Sequence, residues 1–228
     1  MYTYSEDNAK IYSKLGINGT TYEPGFNEAK KVLGDLSNKK VLDYGSGTGR
    51  TAQLLLSFGA SEVVGVDHNQ SMIDQAQEAD ITNADFKLIN NEIPFAENSF
   101  DAALCAHVMV EVSSFDEMEH IMSEVFRVLK PGAPFVIITN NSSAIGEKFI
   151  SFEYEKQQSL VSGQKIPIVI KGEKHFVIED YYWTEGDYKK ILEKVGFTVK
   201  DMSYPKMSGD ESFVETKIAP HVVITSTK

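Results

Sequence analysis

Cysteine occurs once in this chain, at Cys105, so no intrachain disulfide can form. No apolar run reaches the roughly eighteen residues that a membrane-spanning helix needs. The first ten residues, MYTYSEDNAK, are polar and lack a basic start ahead of an apolar stretch, so a secretory signal is not expected and the cytoplasm is the expected compartment. Basic charge is also scarce. Lys and Arg total 22 against 33 Asp and Glu, a net charge of −11, and no basic stripe offsets it, which disfavours nucleic acid as a partner. His68, His107, His120, His175 and His221 are scattered without ligand spacing, so no metal site is expected. No Ser/Gly/Pro-rich linker, repeat or low-complexity segment divides the chain. With 228 residues, 42% of them hydrophobic, it is expected to fold as one domain over 1–228.

The most informative stretch that is present runs Val41-Leu42-Asp43-Tyr44-Gly45-Ser46-Gly47-Thr48-Gly49-Arg50. An apolar strand ending at Leu42 delivers an acid and a glycine loop into a helix that opens with TAQLLLSF. At such a turn the backbone can approach a ligand closely, and the helix-start N–H groups face the crevice. A dinucleotide fingerprint would need glycine where Arg50 stands. Asp43 would repel a diphosphate and attract an ammonium or a sulfonium. A second apolar strand, Glu62 to Asp67, ends in an acid about twenty residues beyond the loop, where ribose hydroxyls lie in doubly wound sheets. The plainer reading of Asp67 is a cap for the helix that begins near Ser71.

Four segments together resemble the class I S-adenosylmethionine-dependent methyltransferases of the small-molecule type. They are VLDYGSGTGR, VVGVDHNQSMIDQA (63–76), NNEIPFAENSFDAAL (90–104) and EVFRVLKPGAPFVI (124–137), covering roughly Lys39 to Thr139. The chain departs from the family pattern at Tyr44, Ser46, the Asn90-Asn91 pair and Ala133. The resemblance implies an α/β, Rossmann-like doubly wound seven-stranded sheet of order 3-2-1-4-5-7-6 with strand 7 antiparallel. It implies N-terminal cover helices over 1–38, a cofactor-binding core over 39–140, a substrate-cap insert over 141–183, and a C-terminal helix and hairpin over 184–228. The cofactor is then S-adenosyl-L-methionine, leaving as S-adenosyl-L-homocysteine. Asp43, Gly45 and Gly47 fall at its methionine end, Asp67 at the ribose, His68 and Met72 at the adenine. Asn91 and Glu92 are candidates for the adenine amino edge, and Ala106 for a contact near the sulfur.

The pattern predicts helices at 5–14, 24–36 and 185–195, a strand over Phe100 to Ala106, and final strands near 197–203 and 221–227. Helix starts are marked by Asn69 or Ser71 and by Ser113 or Ser114. Within the insert, Ile166 to Lys171 and His175 to Ile178 flank Gly172-Glu173 as a β-hairpin, followed by Tyr181-Tyr182-Trp183. This hairpin is a candidate lid over an apolar acceptor; extension of the main sheet or a dimer contact is the alternative. Tyr12, Tyr22, Glu111, Tyr182 and Trp183 are candidate acceptor contacts, although tyrosines at helical spacing also serve as packing residues.

In-line methyl transfer asks mainly for positioning, and a general base is needed only for a protonated acceptor of high pKa. His107, at the carboxyl end of the fourth strand, and His175, in the hairpin, are the candidate bases, with Glu111 placed to orient His107. Cys105 reads as core packing. The acceptor is expected to be a small molecule methylated at O or N, with C as a further option, on a monomer or homodimer without membrane or nucleic-acid partners. Two other readings remain at this point: a non-catalytic S-adenosylmethionine-binding regulatory or partner protein, and an NAD-dependent oxidoreductase.

Overall fold

A computed structural model describes Lys14 and residues 16–228. Tyr12 and all but the last residue of the helix expected at 5–14 lie outside the described residues. The elements, in chain order, are α1 (Glu23–Leu33), β1 (Lys40–Tyr44), α2 (Arg50–Ser57), β2 (Glu62–Asp67), α3 (Gln70–Glu78), β3 (Ala84–Leu88), β4 (Ala102–Ala106), α4 (Phe115–Val128) and β5 (Pro134–Asn140). There follow β6 (Phe152–Tyr154), β7 (Lys165–Lys171), β8 (His175–Tyr181), α5 (Glu185–Val195), β9 (Thr198–Ser203) and β10 (His221–Thr227).

Seven strands form one sheet in the order β3-β2-β1-β4-β5-β10-β9. β1 to β5 are parallel, and β10 runs antiparallel to both β5 and β9. With β9 and β10 as its sixth and seventh strands, this is the expected order. The central strands are aliphatic without alternation, as at Val63–Val64 and Ala102–Cys105, because helices cover both faces of the sheet. One apolar cluster packs α4 and α5 against one face; the other packs α1 and α2 against the opposite face, together with the small sheet of the insert.

Local chemistry sets the helix ends. Asn69 caps α3 by accepting from Ser71 N, and Ser114 caps α4 by accepting from Glu117 N. Thr184 and Asp187 cap α5 reciprocally. α1 stops at Leu33, short of the expected 36, because Gly34 takes φ +65°. β4 starts at Ala102 instead of Phe100, which is held by an isolated bridge to Leu129.

The insert does not extend the main sheet: β6, β7 and β8 make a separate three-stranded antiparallel sheet. Ile166, Ile168 and Ile170 of β7 and Ile178 and Asp180 of β8 point inward, and β8 packs on the 3-10 turn Met109–Glu111 that follows β4. Among the described residues no helix is long and apolar enough to cross a membrane.

Candidate functional site

The loop from β1 to α2 is fastened to β2 through its own backbone. Gly45 N and Ser46 N both donate to Val66 O, at 2.8 and 3.0 Å. Gly45 sits at φ +74°, and a Cβ there would overlap Val108 Cγ2. Gly47 sits at φ +53°, and a Cβ there would meet nothing within 4 Å, because its α-carbon borders the cleft. Gly47 N donates to Asp67 Oδ2 at 2.9 Å, while Asp67 Oδ1 accepts from Asn69 N at 2.9 Å. Asp67 therefore ties the loop to the α3 start and keeps further acceptor capacity on a carboxylate that lines the cleft.

Asp43 is fully buried, and neither of its carboxylate oxygens has a partner among the described residues. Burial first, and the charge of Asp67 second, hold its pKa well above the usual carboxylate range. Such a group calls for a proton or a cation. Asp67 offers the cleft an acceptor suited to hydroxyls and unsuited to a diphosphate, while Asp43 is buried away from the cleft lining.

Two cavities meet behind this loop. The first is lined by Gly45, Gly47, Asp67, His68, Met72 and Ala106, with Val108 and Glu111 beyond. A smaller extension reaches Ile89 and Asn90. Asn91 and Glu92, expected at the adenine edge, line neither and are exposed. Ile89 N bonds to Asp67 O at 2.8 Å, which leaves Asn90 at the cleft. The next residues are drawn toward α4: Ile93 N donates to Glu124 Oε2 at 2.9 Å, and Arg127 donates to Phe95 O at 2.7 Å.

The second cavity is walled by Tyr22, Val110, Phe152, Ile168, Ile170 and Ile178, with Asn140 and Asp180 as polar members. His107 and Glu111 line both cavities. His107 turns the chain out of β4 in the left-handed region, φ +60°, with its N–H on Ile138 O at 2.8 Å. Its ring stands edge-on to Tyr22 and His221, with centroids 5.2 and 4.6 Å away. Burial, helped by the charge of Arg50, lowers its pKa to about 3. The ring is a neutral wall at physiological pH and a poor proton acceptor.

Three other sequence candidates lie away from both cavities. His175 is exposed, because inward positions on β8 fall at Ile178 and Asp180 and the odd-numbered residues of that strand face out. Trp183 is buried in the core beneath α4, donates Nε1–H to Val112 O at 3.0 Å and meets the Phe115 ring edge-on. It clamps the segment after the 3-10 turn and touches no cavity. Tyr182 is half-buried, its backbone paired with Gln164 O and Gly163 N at 2.8 Å each. Cys105 is buried in β4. Among the described residues no group of three or more His, Cys, Asp or Glu is arranged to hold a metal.

Sequence reasoning missed Asp180, Asn140 and His221. A signal for Asp180 was present: the period-two pattern of β8 puts an acid on the inward, aliphatic register, where a strand ordinarily carries none. His221 gave no comparable signal. It becomes a neighbour of His107 only when β10 pairs with β5, which sets His221 opposite Asn140.

Residues 42–137 match the family described as Methyltransferase domain. The chain is 33% identical over 111 residues to a demethylmenaquinone methyltransferase of Tropheryma whipplei, covering 48% of this chain and 45% of that protein. It is 32% identical over 138 residues to sterol methyltransferase-like 1 of Botryococcus braunii, covering 56% of this chain and 34% of that one. The chain thus spans less than half the length of these curated relatives. A crystal structure of an S-adenosylmethionine-dependent methyltransferase from Mesorhizobium loti superposes with a TM-score of 0.69 at 16% identity, covering 93% of this chain and 100% of that one, a likeness of fold. The glycine loop and Asp67 fall within the segment that matches the methyltransferase domain, and the seven-stranded sheet around it is similar in fold to the S-adenosylmethionine-dependent methyltransferase from Mesorhizobium loti.

Proposed function

We propose that this chain transfers a methyl group from S-adenosylmethionine to a small molecule with a largely apolar body. The observation that carries the reading is the junction of two unlike cavities at His107 and Glu111. One is walled by the glycine loop and Asp67, the other by aliphatic side chains of the insert. The two curated relatives support it by name, since menaquinones and sterols are both apolar.

In this reading Asp67 accepts from the ribose hydroxyls, and His68 and Met72 flank the adenine with Ile89 and Asn90 at its far edge. Asp43 answers the positive charge of the methionine end, and Gly45, Gly47 and Ala106 leave the backbone open beside it. When bound, the cofactor supplies an already activated methyl on a sulfonium. The protein's share is alignment and exclusion of water. Phe152, Ile168, Ile170 and Ile178 hold the apolar body of the acceptor, and Tyr22 and the neutral His107 ring close the space around the reacting atoms. Alignment of this kind supplies at most about 7–11 kcal/mol of barrier reduction.

Incubation with methyl-labelled S-adenosylmethionine and a panel of alkylphenols, alkylamines and prenylated quinols tests the reading. Label is expected in a solvent-extractable product of at least one acceptor. Tight S-adenosylhomocysteine binding with no labelled product from any of them would instead favour a non-catalytic, cofactor-binding protein.

A further inference from the structure

The acceptor-side cavity is aliphatic over most of its wall, and its polar chemistry is one-sided. Among its described lining residues there is no Lys or Arg, and the charge-bearing side chains besides the neutral His107 are the acids Asp180 and Glu111. Asp180 is 2% exposed and projects from β8 into a row otherwise held by isoleucines. Asn140 of β5 donates Nδ2–H to its Oδ2 at 3.1 Å, and its Oδ1 has no partner among the described residues. A buried carboxyl oxygen without a donor is costly, and the cavity that Asp180 lines is where a donor can enter.

Among the described residues no donor stands on that oxygen: Tyr188 of α5 is engaged with Thr139 Oγ1 at 3.1 Å. The Tyr154 hydroxyl of β6, its pKa raised first by burial and then by the Asp180 charge, makes no hydrogen bond to Asp180 or to any other described residue. Ile166, opposite Asp180 across β7, is apolar.

Resting on the methyl-transfer reading above, we propose that Asp180 selects the acceptor: it receives an O–H or N–H from a neutral or cationic molecule and turns away molecules that carry a carboxylate or phosphate. Burial pushes Asp180 up to about 7, against the opposing Asn140 hydrogen bond, so its charge changes across the neutral range. A cationic acceptor is therefore held more tightly above that value than below it.

The test is calorimetry on the full chain saturated with S-adenosylhomocysteine, using hexylamine and hexanoate as matched probes at pH 8 and pH 6. Hexylamine stays protonated at both, since amines of this kind titrate at about 10. It is expected to bind at pH 8 and about tenfold more weakly at pH 6, and hexanoate at least tenfold more weakly than hexylamine at pH 8. Asp180→Asn is expected to reduce hexylamine affinity at least tenfold and to flatten its pH dependence, whereas Glu111→Gln retains that dependence. S-adenosylhomocysteine affinity should be unchanged in Asp180→Asn. Equal binding of the two probes, or a pH dependence that survives Asp180→Asn, overturns the assignment. If the variant does not fold, the wild-type comparison decides by itself: pH-independent hexylamine binding rejects Asp180. If S-adenosylhomocysteine fails to bind at all, the methyl-transfer reading falls, and the same titrations without it still judge Asp180.

Discussion

Asp43→Asn is expected to weaken cofactor binding about 10- to 100-fold while making the ligand-free protein more stable. The two effects share one cause. Asp43 is a buried carboxyl without a hydrogen-bond partner among the described residues, its ionisation opposed first by burial and then by Asp67. Opposite a cationic ligand the same carboxylate contributes a charge-assisted interaction worth roughly 1.5–3 kcal/mol. The loss should be larger for S-adenosylmethionine than for S-adenosylhomocysteine, because the sulfonium carries one more positive charge. Calorimetry with both ligands, beside thermal melts of the free protein, reads both effects; equal losses for the two ligands would remove Asp43 from the sulfonium's neighbourhood.

The stability effect has a definite sign with pH. The Asp43 pKa is raised in the folded protein above its ordinary value of 3.8. Between the two values the folded protein holds a proton that the unfolded chain has released. Stability contributed by this group is complete below 3.8 and is lost as pH rises toward the folded value. Asp180 acts in the same direction, over the window from 3.8 to about 7. His107, lowered to about 3, and His221, lowered by burial, act in the opposite sense below 6.5, so the Asp43 contribution is read as a difference: wild-type melts should fall relative to those of Asp43→Asn between pH 4 and pH 7. A difference that rises over that interval would contradict the raised Asp43 value.

Gly45→Ala is expected to be the most damaging small substitution in the loop. The new Cβ would overlap Val108 Cγ2, and its residue would be held at φ +74°. Left-handed strain of about 1–2 kcal/mol and overpacking of about 1–3 kcal/mol together predict a loss of roughly 2–5 kcal/mol. At this chain length that is a drop of roughly 5–20 °C in Tm. Gly47→Ala shares the backbone strain, but its Cβ points into open space, so its fold should suffer less and its ligand affinity more. Equal melting losses in the two variants would show that the Val108 contact does not govern the loop.

The contrast between these two glycines marks how far the sequence could be read. The strand–loop–helix pattern around Asp43 and the acid at Asp67 made the doubly wound core legible, because both are local motifs, and the strand order followed from the family resemblance that these segments carry. The acceptor side was much less so. His107 stood out as a titratable group at a strand end, but its neutrality comes from burial and from Arg50, neither of which its neighbours in sequence announce. His175 and Trp183 stood out by residue type, whereas facing is decided by pleat: His175 turns to solvent and Trp183 into the core. Asp180 was hidden by the aromatic run beside it, although the alternation of its own strand pointed inward. Asn91 and Glu92 stand outside the cleft lining because Glu124 and Arg127, more than thirty positions away in the chain, draw the segment that follows them onto α4.

Calorimetric titration of the purified chain with S-adenosylhomocysteine and with NADH, repeated on Asp67→Ala, tests the central claim most directly. One S-adenosylhomocysteine per chain is expected to bind, with no NADH binding and an affinity at least tenfold lower in Asp67→Ala. Binding of NADH without S-adenosylhomocysteine, or near-normal affinity in Asp67→Ala, would contradict the reading of this loop and its distant acid as a site for a sulfonium cofactor.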